Sequence, residues 1–411
     1  MSQSLTCLLT SDQTLIAREV PSQRILEIAL RAPLSAVRTQ RPRLNLALVL
    51  DRSGSMSGEK LEYVKRAAQH VLDLMAEQDR VSLVIFDDEI DILAPSQPVT
   101  DQNRRDLKAR LQSVRSGGST NLSGGWLAGC QEVARAQVDG ELNRALLLTD
   151  GQANVGITHP NELAKHAREL ADRGVSTSTF GVGEGFNEHL LEEMSNQGRG
   201  NFYYIGTPSQ IPGLFEQEFT ELSSTTAREV VITVELPPHT GVEVLGGWRH
   251  ENRGGQVKIY PGSLYSGRTQ EIYLKLLTPP TTDQDALEIR VSAQAVGDGG
   301  ETLQADASLR FTYASQVESE REPKQVEVMR RYAEVDIANT ANDALILERA
   351  GKREEAARQL TLAIQANAPY LDPERSAEYN LMTDRLKRGL DERDRKSAHQ
   401  AAYDQKRRRT R

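Results

Sequence analysis

Apolar positions along the chain follow three successive rhythms. Between residues 44 and 225, short runs rich in apolar residues (44–50, 81–86, 145–149, 175–182 and 202–205) alternate with stretches of helical spacing (60–76, 104–114, 122–136, 161–173, 187–196 and 208–222). In the first such stretch Leu61, Val64, Ala68, Val71, Leu72 and Met75 recur every three or four positions and share one helical face. Runs apolar on both faces, separated by amphipathic helices, predict a doubly wound, mostly parallel sheet covered on both sides. After residue 228 the period falls to two. Val230, Ile232 and Val234 recur at every second position, as do Ile272, Leu274 and Leu276, and Leu287, Ile289 and Val291. Pro237-Pro238, Gly246-Gly247, Gly254-Gly255 and Pro279-Pro280 punctuate them, which predicts a β-sandwich. Leu26, Ile28 and Leu30 show the same alternation near the N-terminus. An isolated hairpin is marginal, so these early strands are expected to complete the sandwich, with the α/β domain inserted between its parts. From residue 318 the pattern is helical, with a helix pair at 326–347 and 353–366 joined near Gly351 and a further helix after Pro373.

The expected fold class is therefore an α/β doubly wound sheet inserted in a β-sandwich, with a C-terminal helical segment. The expected divisions are 1–43 (sandwich strands), 44–225 (α/β domain), 226–316 (sandwich), 317–405 (helices) and 406–411, a basic tail with no apolar partner expected to be disordered.

The chemistry concentrates where predicted strands end. Leu46-Ala47-Leu48-Val49-Leu50 runs directly into Asp51-Arg52-Ser53-Gly54-Ser55-Met56. Leu146-Leu147-Leu148 ends in Thr149-Asp150-Gly151, and Gly117-Gly118-Ser119-Thr120 precedes a predicted helix. Loops at the carboxyl ends of parallel strands are where such sheets bind ligands. Asp51, Ser53, Ser55, Thr120 and Asp150 supply two carboxylates and three hydroxyls, with no His or Cys. That oxygen-only set suits a hard cation. Mg²⁺ in a six-coordinate shell retains water and leaves a position for an outside ligand. Alternatively the loop simply caps the next helix, with Ser53 or Ser55 as N-cap.

Asp51-x-Ser53-x-Ser55, Thr120 and Asp150 together resemble the metal-ion-dependent adhesion site of von Willebrand factor A domains. The resemblance covers residues 44 to 225. It implies that Ser53 and Ser55 ligate the metal through their hydroxyls. Thr120 would ligate directly when partner is bound, and Asp51 and Asp150 would act mainly through water. An acidic side chain of a partner protein would fill the last position. It also implies one antiparallel edge strand, at 90–93. The cation expected is Mg²⁺, with Mn²⁺ or Ca²⁺ as alternatives.

Other features modify this picture little. The net charge of −8 argues against nucleic acid as a partner, although residues 384–411 carry 11 Lys/Arg against 5 Asp/Glu. Cys7 and Cys130 exclude a disulfide framework. The N-terminus lacks a basic, apolar leader, and no run approaches the roughly 20 residues that span a bilayer, so a cytoplasmic location is expected. Gly181-Val182-Gly183-Glu184-Gly185 lacks a phosphate-loop spacing and reads as a turn. Asp87-Asp88-Glu89 is either a second cation site or a solvated turn. His159, His166 and His189 pair with no nucleophile, so no enzyme is expected. Trp126 and Met56 either shape the site's rim or pack, and Cys130 reads as a core thiol. Residues 350–360 resemble part of one tetratricopeptide helix pair, too little for a solenoid. The function expected is metal-dependent binding of a protein that presents an Asp or Glu. The alternative is a non-ATPase subunit or scaffold of an enzyme complex, chelatase-like or associated with a kinase or phosphatase.

Overall fold

The computed structural model describes residues 4–34, 42–138, 140–151, 153–297 and 299–407. The first strands are β1 (Thr6–Ser11), β2 (Leu15–Ala17) and β3 (Ser22–Arg31). The α/β stretch follows as β4 (Leu44–Asp51), α1 (Glu59–Leu74), β5 (Arg80–Phe86), β6 (Ile90–Pro98), α2 (Asp101–Ser113), α3 (Leu122–Arg135) and β7 (Leu142–Thr149), then α4 (Pro160–Asp172), β8 (Ser176–Val182), α5 (Glu188–Gln197), β9 (Arg199–Ile205) and α6 (Ile211–Ser223). Next come β10 (Thr225–Glu235), β11 (Gly241–Val244), β12 (Arg249–Arg253), β13 (Gln256–Tyr265), β14 (Thr269–Thr278), β15 (Ala286–Gly297) and β16 (Thr302–Ala314). The last helices are α7 (Gln316–Arg321), α8 (Val326–Arg349), α9 (Arg353–Asn367), α10 (Pro373–Arg388) and α11 (Glu392–Lys406). The chain divides into two compact units, one built from β4 to α6 and the other from the elements before and after.

In the first unit the sheet order is β6-β5-β4-β7-β8-β9, with β6 antiparallel to β5 and the other pairs parallel. Every residue of β4 and β7 is buried, which explains runs without alternation. Leu44, Leu46, Leu48 and Leu50 share a core with Val64 and Val71 of α1 and Phe215 and Leu222 of α6. On the other face α3 comes very close. A Cβ on Gly129 would lie 2.2 Å from Val49 Cγ2, and one on Gly125 2.3 Å from the Phe86 ring. Helix α1 starts at Gly58, whose φ of 78° suits glycine, and carries Glu59 and Glu62 in its first turn. Of the boundaries that differ from expectation, two have a plain local cause. Helix α2 begins three residues before 104, because the Thr100 side chain caps it by accepting from the Asn103 amide at 3.2 Å. The edge strand runs on from 93 to Pro98 despite Pro95 and Pro98, residues tolerated where one side of a strand is unpaired.

In the second unit two sheets, ordered β1-β3-β14-β11 and β12-β13-β10-β15-β16-β2, share one core. Leu26, Ile28, Ile272 and Leu274 meet Ile232, Val234, Ile289 and Phe311 there. Strand β3 lies between β1 and β14, pairing Leu8 with Ala29 and Ile28 with Ile272. Strand β2 runs parallel to β16, with Ile16 opposite Tyr313. Helices α8 to α10 enclose Ile337, Leu345, Leu360, Ile364, Tyr379 and Leu386, while Val328, Met329 and Tyr332 of α8 pack on Ile25, Leu245 and Tyr273. Lys406 and Arg407, expected to belong to a disordered tail, are ordered against the fold. Lys406 ends α11 with its side chain buried, and the Arg407 guanidinium stacks 3.7 Å above Trp248, so the end of the helix does have an apolar partner. Residues 408–411 of the expected tail, and residues 35–41 of the expected 1–43 segment, lie outside the described residues. Among the described residues no helix is long and apolar enough to cross a membrane.

Candidate metal centre

Strands β4 and β7 are neighbours, yet the chain leaves them in opposite directions, toward β5 on one side and β8 on the other. Their carboxyl ends therefore open onto a crevice that no crossover fills. Asp51 is the last residue of β4, Thr149 is the last of β7, and Asp150 follows it.

The loops knit these residues together. Asp51 accepts from the Ser53 amide at 2.8 Å through Oδ1 and from the Thr149 hydroxyl through Oδ2. Thr149 Oγ1 in turn accepts from the Gly151 amide at 3.0 Å. The Ser53 and Ser55 hydroxyls are 3.2 Å apart, and Ser55 donates to Asp150 Oδ1 at 2.7 Å. Thr120 arrives from the loop before α3. A Cβ on Gly151 would lie 3.2 Å from Thr120 Oγ1 and 3.1 Å from Asp51 Oδ2, so the hydroxyl and the carboxylate flank one glycine. The Thr120 carbonyl accepts from the amides of Asn154 and Val155 at 3.0 and 3.1 Å, tying its loop to the one after Asp150. All five residues thus stand together. Asp51, Ser53, Thr120 and Asp150 are buried, and Ser55 is exposed at the mouth. Neither serine caps α1, whose N-cap is Gly58.

Residues 45–217 match the model of the von Willebrand factor type A domain. This part of the chain is a von Willebrand factor type A domain. Across 377 residues the chain is 28% identical to an uncharacterized protein of Synechocystis sp., covering 87% of this chain and 86% of that one. Human inter-alpha-trypsin inhibitor heavy chain H3 is 28% identical over 183 residues, which are 42% of this chain but only 21% of that protein. A solved von Willebrand factor type A protein from Catenulispora acidiphila shares the fold along 95% of this chain and 98% of its own, with a TM-score of 0.70 at 15% identity. The ArnB paralog VWA2 from Sulfolobus acidocaldarius does so along 98% of both chains, with a TM-score of 0.67 at 18% identity.

The A domain's loops rest on a framework that the sequence pattern did not disclose. Arg52 forms ion pairs with Asp87 at 3.1 Å and Asp91 at 2.9 Å. Asp87 also accepts from the amides of Glu89 at 2.9 Å and Gly118 at 3.3 Å. Gly54 N donates to Gly118 O at 2.8 Å, and Gly117 N to Arg52 O at 2.7 Å, so the first metal loop and the Thr120 loop are clamped together. Side chains on Gly117 or Gly118 would collide with Asp87 or Asp88, at 1.8 and 1.9 Å from their Oδ atoms. Asp87 and Asp91 are thus paired with Arg52, and residues 87–89 form a polar turn between β5 and β6. Among the described residues no group of three or more His, Cys, Asp or Glu could hold a metal.

Electrostatics single out the A domain's crevice. Burial pushes the Asp51 carboxyl up to about 6, against the opposing hydrogen bonds from Ser53 and Thr149, and Asp150 beside it adds to the rise. The Lys60 ammonium, from the first turn of α1, reaches Asp150 Oδ2. Neither Lys60 nor Thr149 was singled out in the sequence. The hydroxyl directly before Asp150 at a strand end was a usable signal for Thr149, whereas nothing local marks Lys60. Trp126 and Met56 are packing residues rather than rim. Trp126 is fully buried with its Nε1 donating to Thr177 at 3.1 Å, and Met56 belongs to the core beneath the loop. Cys130 is fully buried, and burial pushes its thiol up to about 12. His166 and His189 lie near Glu169 and Glu188, at 3.7 and 3.9 Å, away from the crevice loops in sequence and in these contacts.

Proposed function

We propose that this chain is a metal-dependent protein-binding protein, in which the A domain holds one divalent cation, Mg²⁺, and recognises an acidic side chain of a partner. The observation that supports this most is the convergence of two buried carboxylates and three hydroxyls on one crevice, where burial disfavours the charged form of Asp51. A hard cation offsets that penalty, and the donor set is made of the oxygens such an ion prefers. Ser53, Ser55 and Thr120 would hold the ion through their hydroxyls, and Asp51 and Asp150 would balance its charge directly or through water. Bound there, the ion supplies an open coordination position for a carboxylate. Thr149, Arg52 and Asp87 would keep the loops in place. The resemblance of the five residues to the adhesion site of A domains supports the same reading.

The test is affinity capture from the source cell in Mg²⁺ and in EDTA, followed by mass spectrometry, with calorimetry of Mg²⁺ binding to the isolated protein. A partner retained only in Mg²⁺, and lost with Asp51→Ala, is the expected result. Equal retention in EDTA would place recognition elsewhere on the molecule.

A further inference from the structure

Lys60 occupies an unusual position for a lysine. It is the second residue of α1, where the unpaired amides of a helix N-terminus make a cation unfavourable. Glu59 and Glu62 of the same turn suit that location, and Lys60 does not. Its side chain is only a third exposed, and the ammonium turns inward to Asp150 Oδ2, the oxygen of Asp150 that Ser55 leaves free. The Asp150 side chain is fully buried.

A channel is shaped for the lysine stem. The loop between β8 and α5 carries Gly183 and Gly185. A Cβ on Gly183, which has a φ of 69°, would lie 3.0, 3.5 and 3.7 Å from Cε, Cδ and Cγ of Lys60. One on Gly185 would lie 3.1 Å from the Asp150 carbonyl and 3.9 Å from the Lys60 ammonium. The glycine-rich stretch that resembled a failed phosphate loop thus has a role: its missing side chains leave the path along which Lys60 reaches Asp150.

We propose that Lys60 is a built-in counter-ion of the metal centre, holding Asp150 in the metal-free protein and thereby setting how tightly the cation binds. This rests on the metal reading above. The carboxylate that balances a divalent cation is the one the ammonium already neutralises, so the two positive charges compete for Asp150. Lys60 stabilises the metal-free loops and weakens metal affinity by the same interaction, as linkage requires of two ligands that share a group.

The test uses the full chain as wild type, Lys60→Met, Lys60→Gln and Lys60→Arg. Mg²⁺ and Mn²⁺ affinities are measured by calorimetry, and thermal unfolding is followed in EDTA and in saturating Mg²⁺. Removing the charge should tighten metal binding on the order of tenfold, because a unit charge beside a divalent ion in a partly buried site is poorly screened. Lys60→Met and Lys60→Gln should melt lower than wild type in EDTA, where Asp150 has lost its cationic partner, and gain more on adding Mg²⁺. Lys60→Arg keeps the charge and should stay within about threefold of wild-type affinity. Should Lys60→Met fail to fold, Lys60→Gln, which retains a donor, decides the matter alone. Wild-type metal binding that the charge-removing variants leave unchanged or weaken would overturn the counter-ion role while leaving the metal centre standing. No metal binding by wild type or any variant would overturn the metal reading and this inference together.

Discussion

A carboxylate at the end of a fully buried strand is costly unless something repays its desolvation. Asp51 is completely buried, and two hydrogen bonds leave its carboxyl still displaced upward. The cheapest remedy for such a residue is a cation, and this argues for Asp51→Ala as the first variant to make. Mg²⁺ that binds only the folded protein should stabilise the wild type by about 2.7 kcal/mol at a hundred times its dissociation constant. Asp51→Ala should show no such gain in a thermal melt. Thr120 should behave differently, since its hydroxyl is one ligand of several. Thr120→Ala is expected to weaken partner capture by about tenfold while changing Mg²⁺ affinity by no more than about threefold. Paired titrations of metal and captured partner would expose an equal loss of both, which would argue against a partner-sensing role for Thr120.

A second buried carboxylate solves the same problem without a metal. Burial alone would raise Glu218, but the Arg144 guanidinium at 2.7 Å outweighs it, with hydrogen bonds from Asn201 at 2.8 Å and Tyr203 at 2.7 Å, and the carboxyl settles at about 2. Because the folded value lies below the ordinary one near 4.5, the charged form stabilises the fold above that pH. The contribution, roughly 3 kcal/mol for a shift of this size, is lost as pH falls from about 4.5 toward 2. Acid titration of stability should therefore steepen through this window in wild type, and Glu218→Gln should remove about one proton from that slope.

At the level of elements, α3 ties the core to the site. Its N-cap Asn121 accepts from the Gly124 amide at 3.0 Å and directly follows Thr120. One turn later Gly125, and another turn later Gly129, let the helix sink onto Phe86 and Val49. An alanine at either place must push strand and helix apart. Gly125→Ala and Gly129→Ala should each cost about 1–3 kcal/mol, despite alanine's better helix propensity. Denaturant melts give this directly; a neutral or stabilising result would mean that α3 does not sit so close. Since Thr120 directly precedes the N-cap of the same helix, both variants should also lower Mg²⁺ affinity. The long strand β6 teaches a related lesson. Pro95 and Pro98 make its sequence look like a loop, and only its place at the edge of the sheet permits them.

At the level of the whole molecule, the order of elements in the chain and their order in space diverge. The A domain's sheet draws all its strands from one continuous stretch, and its core residues come from the same stretch. A fragment of residues 42–225 should therefore fold alone and bind Mg²⁺ as the full chain does. The two remaining sheets are not self-contained. Strand β3 sits between β1 and β14 and pairs Glu27 with Tyr273, whose hydroxyl donates to the Glu27 carboxylate at 2.7 Å. Deleting residues 1–34 would remove β1 and β3 from one sheet and β2 from the other, exposing Ile232, Ile272 and Ile289. Aggregation, or loss of a cooperative transition outside the A domain, is the expected outcome; a monomeric, cooperatively folding 35–411 protein would contradict this account.

The fold class was determined by the sequence alone, and the reason is local. Strands buried on both faces need continuous apolar runs, helices packed on them need a period near 3.6, and strands with one buried face need a period of two. Each requirement is written within a dozen residues. The meeting of Asp51, Ser53, Ser55, Thr120 and Asp150 at one end of the sheet was equally readable, because each lies where a readable strand ends or a readable helix begins. Tertiary structure decided what depends on residues far apart. It put Arg52 on Asp87 and Lys60 on Asp150, it required Gly125 and Gly129 for close packing, and it made β3 a central strand. No periodicity records such contacts, since a salt bridge or a strand pairing over 246 residues leaves no local pattern; it exists only once the core has brought its two halves together.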